Sequence, residues 1–177
     1  TAEQVDELCA RAARETGRHV EGANYNCPGQ VVVAGHTEAL ERCMALAVEA
    51  GGRAVRLSVT APFHSRLLTP AGERLAEALA AVPLREAQVP VVSNVTADYV
   101  TQPGESRRLL IEQVSRPVLW EASIRRMIAD GVDTFVEVGP SRTLTGFLRK
   151  IDKGVRALHV EDPGSLARVL DSLGRVC

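Results

Sequence analysis

The chain has 177 residues, enough for one or two modest domains, and its 45% hydrophobic and 24% charged content suits a globular core. A formal net charge of −1 gives no argument for a nucleic-acid or anionic-membrane partner, and no apolar run is long enough to span a bilayer. With no signal-peptide pattern visible, a cytoplasmic location is the expectation. Aromatic residues make up only 3% of the chain, so Val, Leu and Ala must fill the core and stacking platforms for single strands are not expected. The four cysteines, Cys9, Cys27, Cys43 and Cys177, form no CxxC and no zinc-like spacing with histidine. They read as small buried hydrophobes, with neither metal nor disulfide.

In chain order, Val5, Leu8, Cys9, Ala12 and Ala13 recur at helical spacing, with a Thr1/Gln4 capping box before them and Gly17 as the stop. Val20–Asn26 and Gln30–Gly35 predict two strands around a turn at Cys27-Pro28-Gly29. Leu40, Cys43, Met44, Ala47 and Val48 predict a second helix, ended by Gly51-Gly52. Arg53–Val59 alternates and predicts a third strand with Val55, Leu57 and Val59 on one face. The order α-β-β-α-β matches a ferredoxin-like β-α-β-β-α-β unit without its first strand, so a strand before Thr1 is expected.

From there the pattern changes. A helix face runs from Leu68 to Val82, and Val89–Val95 reads as a buried strand. Helices are predicted over 104–115 and 120–130, a strand over Thr134–Val138, and a helix carrying Leu144, Phe147, Leu148 and Ile151. Arg156–Val160 is a short strand, and Ser165 begins a last helix through Leu173. Strands separated by helices predict a parallel, doubly wound sheet, and three strands are few for one.

Among the histidines His19, His36, His64 and His159, only His64 has a setting that suggests chemistry. It follows a predicted strand, precedes a helix and stands after Pro62, and ligands in open α/β sheets bind at the carboxyl ends of strands. A histidine there can act as a base near neutral pH. A nucleophile is missing: no GxSxG elbow occurs, Ser141 reads as a helix N-cap after Gly139-Pro140, and Ser65 is a chain neighbour of His64. No phosphate loop, paired catalytic carboxylates or HExxH is present.

The segments Asn24–Gly35 (NYNCPGQVVVAG), Val59–Ala71 (VTAPFHSRLLTPA), Pro90–Val95 (PVVSNV), Ile111–Met127 (IEQVSRPVLWEASIRRM) and Phe135–Ile151 (FVEVGPSRTLTGFLRKI) resemble the malonyl-CoA:acyl carrier protein transacylase family. That family includes the acyltransferases of fatty acid and polyketide synthesis, and the match corresponds to the C-terminal half of its catalytic domain. The resemblance implies an α/β fold. A partial α/β-hydrolase-like large subdomain spans 60–177, and a ferredoxin-like small subdomain, lacking its first strand, spans 1–59.

It also implies ping-pong transfer of malonyl from coenzyme A through an acyl-serine to the phosphopantetheine thiol of acyl carrier protein. The base would be His64, oriented by the main-chain carbonyl of Gln113. Phe63 would favour malonyl over methylmalonyl by filling the space of a branched α-carbon, with a core plug beneath the loop as the alternative, compatible reading. Asn24 would face the cleft from the small subdomain, or else bond its own turn. Trp120 reads as a packing anchor. Arg66, Arg107, Arg108, Arg125 and Arg126 could meet an acidic carrier or line a solvated helix face.

The family's serine, oxyanion donors and malonyl-pairing arginine lie upstream. The implied partners are therefore acyl carrier protein and an N-terminal portion of the same domain, without which this chain is expected to be inactive. No tightly bound cofactor is implied. An acyl hydrolase of the same fold, or a non-catalytic docking module, are the alternatives. One departure is visible: where the family has GPG, this chain has Gly139-Pro140-Ser141.

Overall fold

The structure, a computed structural model, describes residues 1–174; Cys177 lies outside the described residues. Two compact units divide between Ser123 and Ile124.

The first unit opens with α1 (Ala2–Thr16), whose Thr1/Gln4 capping box forms as expected. At Gly17 the chain turns left-handed (φ 65°) and the amide returns to Ala13 O at 2.9 Å, so the helix stops where a residue without Cβ allows it. β1 (Val20–Cys27) and β2 (Gln30–Gly35) form an antiparallel hairpin, followed by α2 (Thr37–Glu49). Both helices cover the hairpin. Cys9 and Ala12 of α1 meet Val20 of β1 and Ala39, Cys43 and Leu46 of α2 in one buried cluster. The Cys9 and Cys43 sulfurs lie 3.7 Å apart as free thiols. The hydrogen bond with Cys43, and then burial, push the Cys9 thiol up, because an anion there would lose its bonded proton and be poorly solvated.

The strand predicted over Arg53–Val59 does not form among the described residues. Its alternation is that of a one-faced strand, but it has no neighbour to pair with, and Val55, Leu57 and Val59 stay 63%, 52% and 61% exposed. A strand is fixed by its ladder, so periodicity without a partner does not make one.

A 3-10 turn (Arg66–Leu68) leads into α3 (Thr69–Ala80), which packs on α4 (Pro103–Glu112). Gly72 is the contact: a Cβ there would come within 3.3 Å of Ile111 O in α4. The buried strand expected over Val89–Val95 is instead a short antiparallel ladder of β3 (Val91–Val92) with β4 (Tyr99–Val100). Val89 and Val91 are exposed and only Val95 is buried, with Val100 and Leu109. The cause is local: Pro90 lacks a ladder donor, and Ser93 N donates to Asp98 O (2.9 Å), which turns the chain back at once. α5 (Trp120–Ala129) crosses the division between the units.

The second unit holds one parallel pair, β5 (Thr134–Val138) with β6 (Arg156–Val160), at the predicted limits. These are the only parallel neighbours within the named strands of the described residues, so a single parallel pair stands where the sequence predicts a doubly wound sheet of three strands. Between them runs α6 (Thr143–Ile151), and α7 (Pro163–Leu173) follows. α7 begins two residues before the predicted Ser165, because Pro163 suits a first turn and Asp162 caps it, accepting from Ser165 N at 2.6 Å.

Ser141 is not the N-cap of α6. The cap position is Arg142, and the carboxylate of Glu137 accepts from Leu144 N (3.0 Å), Thr145 N (2.7 Å) and Thr145 Oγ1 (2.6 Å). Ser141 is instead held at φ 80°, a left-handed conformation that L-residues other than Asn, Asp and His rarely adopt.

Two outcomes follow from this turn. Ser141→Gly should raise stability by about 1 kcal/mol in denaturant unfolding, since glycine carries no Cβ penalty there, while Ser141→Val should lower it. Partial burial raises the Glu137 carboxyl, but the Thr145 hydroxyl and the Thr145 and Leu144 amides outweigh that and hold it below its ordinary 4.5. Its contribution is therefore present above the ordinary carboxylate range and lost as pH falls through the lowered native value. Glu137→Gln should cost about 1 kcal/mol at neutral pH, and the difference from the parent should shrink on acidification in melts run across pH.

Candidate functional site

His64 does not follow a strand; it sits in a tight loop before the 3-10 turn. Phe63 N donates to Ala61 O at 2.9 Å, and the wholly buried Ser65 hydroxyl donates to Pro62 O at 2.7 Å. Between them His64 is left-handed, at φ 58°. A left-handed non-glycine residue costs of order 1–3 kcal/mol and persists only where its surroundings fix it.

The imidazole is fixed by one contact. His64 Nδ1 lies 2.7 Å from the carbonyl oxygen of Gln113. A carbonyl oxygen only accepts, so Nδ1 carries the hydrogen and Nε2 is left as the basic nitrogen. Gln113 is the C-cap of α4, and its own amide closes on Leu109 O at 3.0 Å. The last carbonyls of a helix have no partner within it. Gln113 O is therefore available to an outside donor, and it lies at the end of the helix that favours positive charge. The Gln113 side chain takes a separate role, accepting from Asn94 Nδ2 at 3.4 Å.

β1 joins the two halves of this pair. Its register shifts between Gly22 and Asn24, which takes Ala23 out of the ladder with β2. Ala23 O accepts from Val118 N, and Tyr25 N donates to Val118 O, both at 2.9 Å, five residues beyond Gln113. At its other end, Glu21 accepts from Arg66 N at 2.6 Å, two residues beyond His64.

Asn24 lies in β1, bridged to Val118, and among the described residues its side chain has no hydrogen-bond partner; it does not bond its own turn. Phe63 is 54% exposed, so within its unit it is not a core plug beneath the loop. The Trp120 indole nitrogen is buried without a hydrogen-bond partner among the described residues. Most of the arginines are engaged with their own chain: Arg66 with Glu21, Arg107 with Val82 O (2.8 Å), Arg108 with Glu105 and Glu112, and Arg126 with Asp130 (2.9 Å). Among the described residues no cluster of His, Cys, Asp and Glu could hold a metal ion, and no helix is long and apolar enough to cross a membrane.

The chain as a whole has relatives among known proteins. Residues 3–174 match the family described as acyl transferase domain, and the chain belongs to that family. It is 42% identical over 160 residues to the malonyl CoA-acyl carrier protein transacylase of Bacillus subtilis, covering 90% of this chain and 50% of that one. It is 39% identical over 168 residues to the transacylase of the same name from Escherichia coli K12, covering 94% and 54%.

Among solved structures, the malonyl CoA-acyl carrier protein transacylase of Clostridium perfringens superposes with a TM-score of 0.92 at 44% identity, over 98% of this chain and 54% of that one. A malonyl transacylase solved in complex with a type II polyketide acyl carrier protein gives 0.92 at 36% identity, over 96% and 55%. The chain thus spans about half the length of the curated relatives it matches.

Proposed function

We propose that this chain is the C-terminal part of a malonyl-CoA:acyl carrier protein transacylase. In this reading it supplies the general base His64 to a serine held by residues outside it. The observation that carries the proposal is the 2.7 Å contact from His64 Nδ1 to Gln113 O. It leaves Nε2 to take the serine proton as Oγ attacks the malonyl thioester carbonyl. The tetrahedral oxyanion collapses, the C–S bond breaks, and the coenzyme A sulfur leaves with the proton from the imidazolium. The same nitrogen then takes the proton of the carrier's phosphopantetheine thiol as that sulfur attacks the acyl-serine, and returns it to the serine. A neutral carbonyl in place of a carboxylate orients the ring without adding a full charge. The substrates are malonyl-CoA and the phosphopantetheinyl carrier, with no tightly bound cofactor.

The finer fold follows the same reading, with a ferredoxin-like small subdomain over 1–59 and an α/β-hydrolase-like one over 60–177. Two features support it. One edge of β1 pairs with β2 and the other meets Val118, so the open edge of the hairpin is that of β2, while Arg53–Val59 alternates without a ladder. One strand from the N-terminal portion would complete both. Phe63, whose ring is exposed, would narrow a pocket against a branched α-carbon, worth about 1–3 kcal/mol of selectivity. Asn24 would face the substrate in this reading.

Intact mass spectrometry before and after addition of malonyl-CoA tests the reading. The expected result is a malonyl mass on a polypeptide that carries the serine and accompanies this chain, with acylation lost in His64→Ala. A serine-bearing polypeptide that is acylated as readily with His64→Ala as with the parent chain would overturn the reading. In the assembled enzyme, Gln113→Ala should keep kcat within about threefold, because the main-chain carbonyl remains; a loss like that of His64→Ala in steady-state assays would show that the side chain matters instead.

A further inference from the structure

We propose that Glu21 is a positioning residue for His64, holding the loop that carries the base against the acceptor carbonyl; this rests on His64 being the base. Glu21 stands on β1 between the buried Val20 and the buried Gly22, and its side chain is 24% exposed. A carboxylate so placed has to be bonded, and its contacts go to two residues, Arg66 and His19. Oε1 accepts from the backbone amide of Arg66 at 2.6 Å. Oε2 accepts from Arg66 Nε at 3.3 Å and from its terminal nitrogen at 3.2 Å. His19 Nε2 lies 3.0 Å from Oε1 on the strand side. Burial raises the Glu21 carboxyl, but the Arg66 amide, His19 and the Arg66 guanidinium outweigh it and keep the group ionised at neutral pH.

The amide bond is the part that matters. It fixes the backbone two residues after a histidine whose φ of 58° is unfavourable when unsupported. The Arg66 guanidinium is 70% exposed, so its ion pair contributes little and is screened by salt. Ser65, between them, is buried and tied to Pro62 O, so a shift of the Arg66 amide passes to His64 with no slack. The same strand grips Val118 beyond Gln113, so Glu21 completes a two-point hold: the middle of β1, at Ala23 and Tyr25, fixes the acceptor and its start fixes the donor. A displacement of about 1 Å at a reacting group can cost 10²-fold in rate.

The test uses the intact transacylase, with this chain and its serine-bearing portion together. Glu21→Ala should lower kcat for serine malonylation 10- to 100-fold with KM for malonyl-CoA changed less than twofold. Glu21→Gln, which keeps an oxygen for the Arg66 amide, should recover most of that loss. Arg66→Ala, which keeps the amide, should stay within about twofold in kcat. The exchange-protected Nδ1–H proton of His64 in NMR should disappear in Glu21→Ala and return in Glu21→Gln. Glu21→Ala acting at the parental rate, while His64→Ala is inactive, would overturn the proposal and leave the base assignment standing. An active His64→Ala would instead overturn the base assignment itself. Should Glu21→Ala fail to fold, Glu21→Gln with the parental NMR signal and rate supports the proposal, and Glu21→Gln folded but without the signal refutes it.

Discussion

The arrangement depends on one hydrogen bond between a histidine and a peptide carbonyl. At 2.7 Å, His64 Nδ1 and Gln113 O determine which ring nitrogen bears hydrogen and where the other one points. Neither partner is stable in that position unaided. His64 is left-handed, and Gln113 O is an orphan at a helix end. Each relieves the other: the helix end gains a donor, and the strained loop gains an anchor. Gly72 supports this from behind, letting α3 approach the Ile111 carbonyl of α4 closely enough that the helix end cannot drift.

A carbonyl acceptor has consequences for what evolution of the sequence can reach. Side-chain replacement at Gln113 does not remove the oxygen, so the orienting group is protected from most point substitutions. What can displace it is a change in backbone path. The sites to watch are therefore those that shape the path: Gly72, the bulge at Ala23, and the carboxylate of Glu21. Ser141 is a different case, a strained backbone position at φ 80° beside a helix that Glu137, and not the Ser141 hydroxyl, caps.

Much of this was legible in the residues. The Thr1/Gln4 box, Gly17, the hairpin at Pro28-Gly29 and both strands of the parallel pair follow from caps, turns and alternation. His64 is legible as a candidate base from Pro62 and the helix that follows, although the segment leading into it is not a strand. Where reading failed, a partner was missing from view: Arg53–Val59 alternates but has nothing to pair with, and Val89–Val95 is apolar but turns back at Ser93. Gln113 came only through resemblance, since a main-chain carbonyl has no residue-type signature. Glu21 belongs to no motif, yet a carboxylate placed between two inward-facing positions of a strand is a signal that a partner waits elsewhere in the chain.

The pairing of distant segments also bears on how the site assembles. His64 and Gln113 are 49 residues apart, and Glu21 and Arg66 are 45 apart. Closing such loops is entropically costly until the contacts they bring are in place, so local elements form ahead of them. The helix–hairpin–helix layer from α1 to α2 can nucleate from near neighbours as it leaves the ribosome. The histidine loop cannot take its left-handed turn until α4 has been made and β1 has captured Val118. The contact between His64 and Gln113 therefore arrives last in folding, and a chain arrested early would be compact at its front while the histidine loop still wandered.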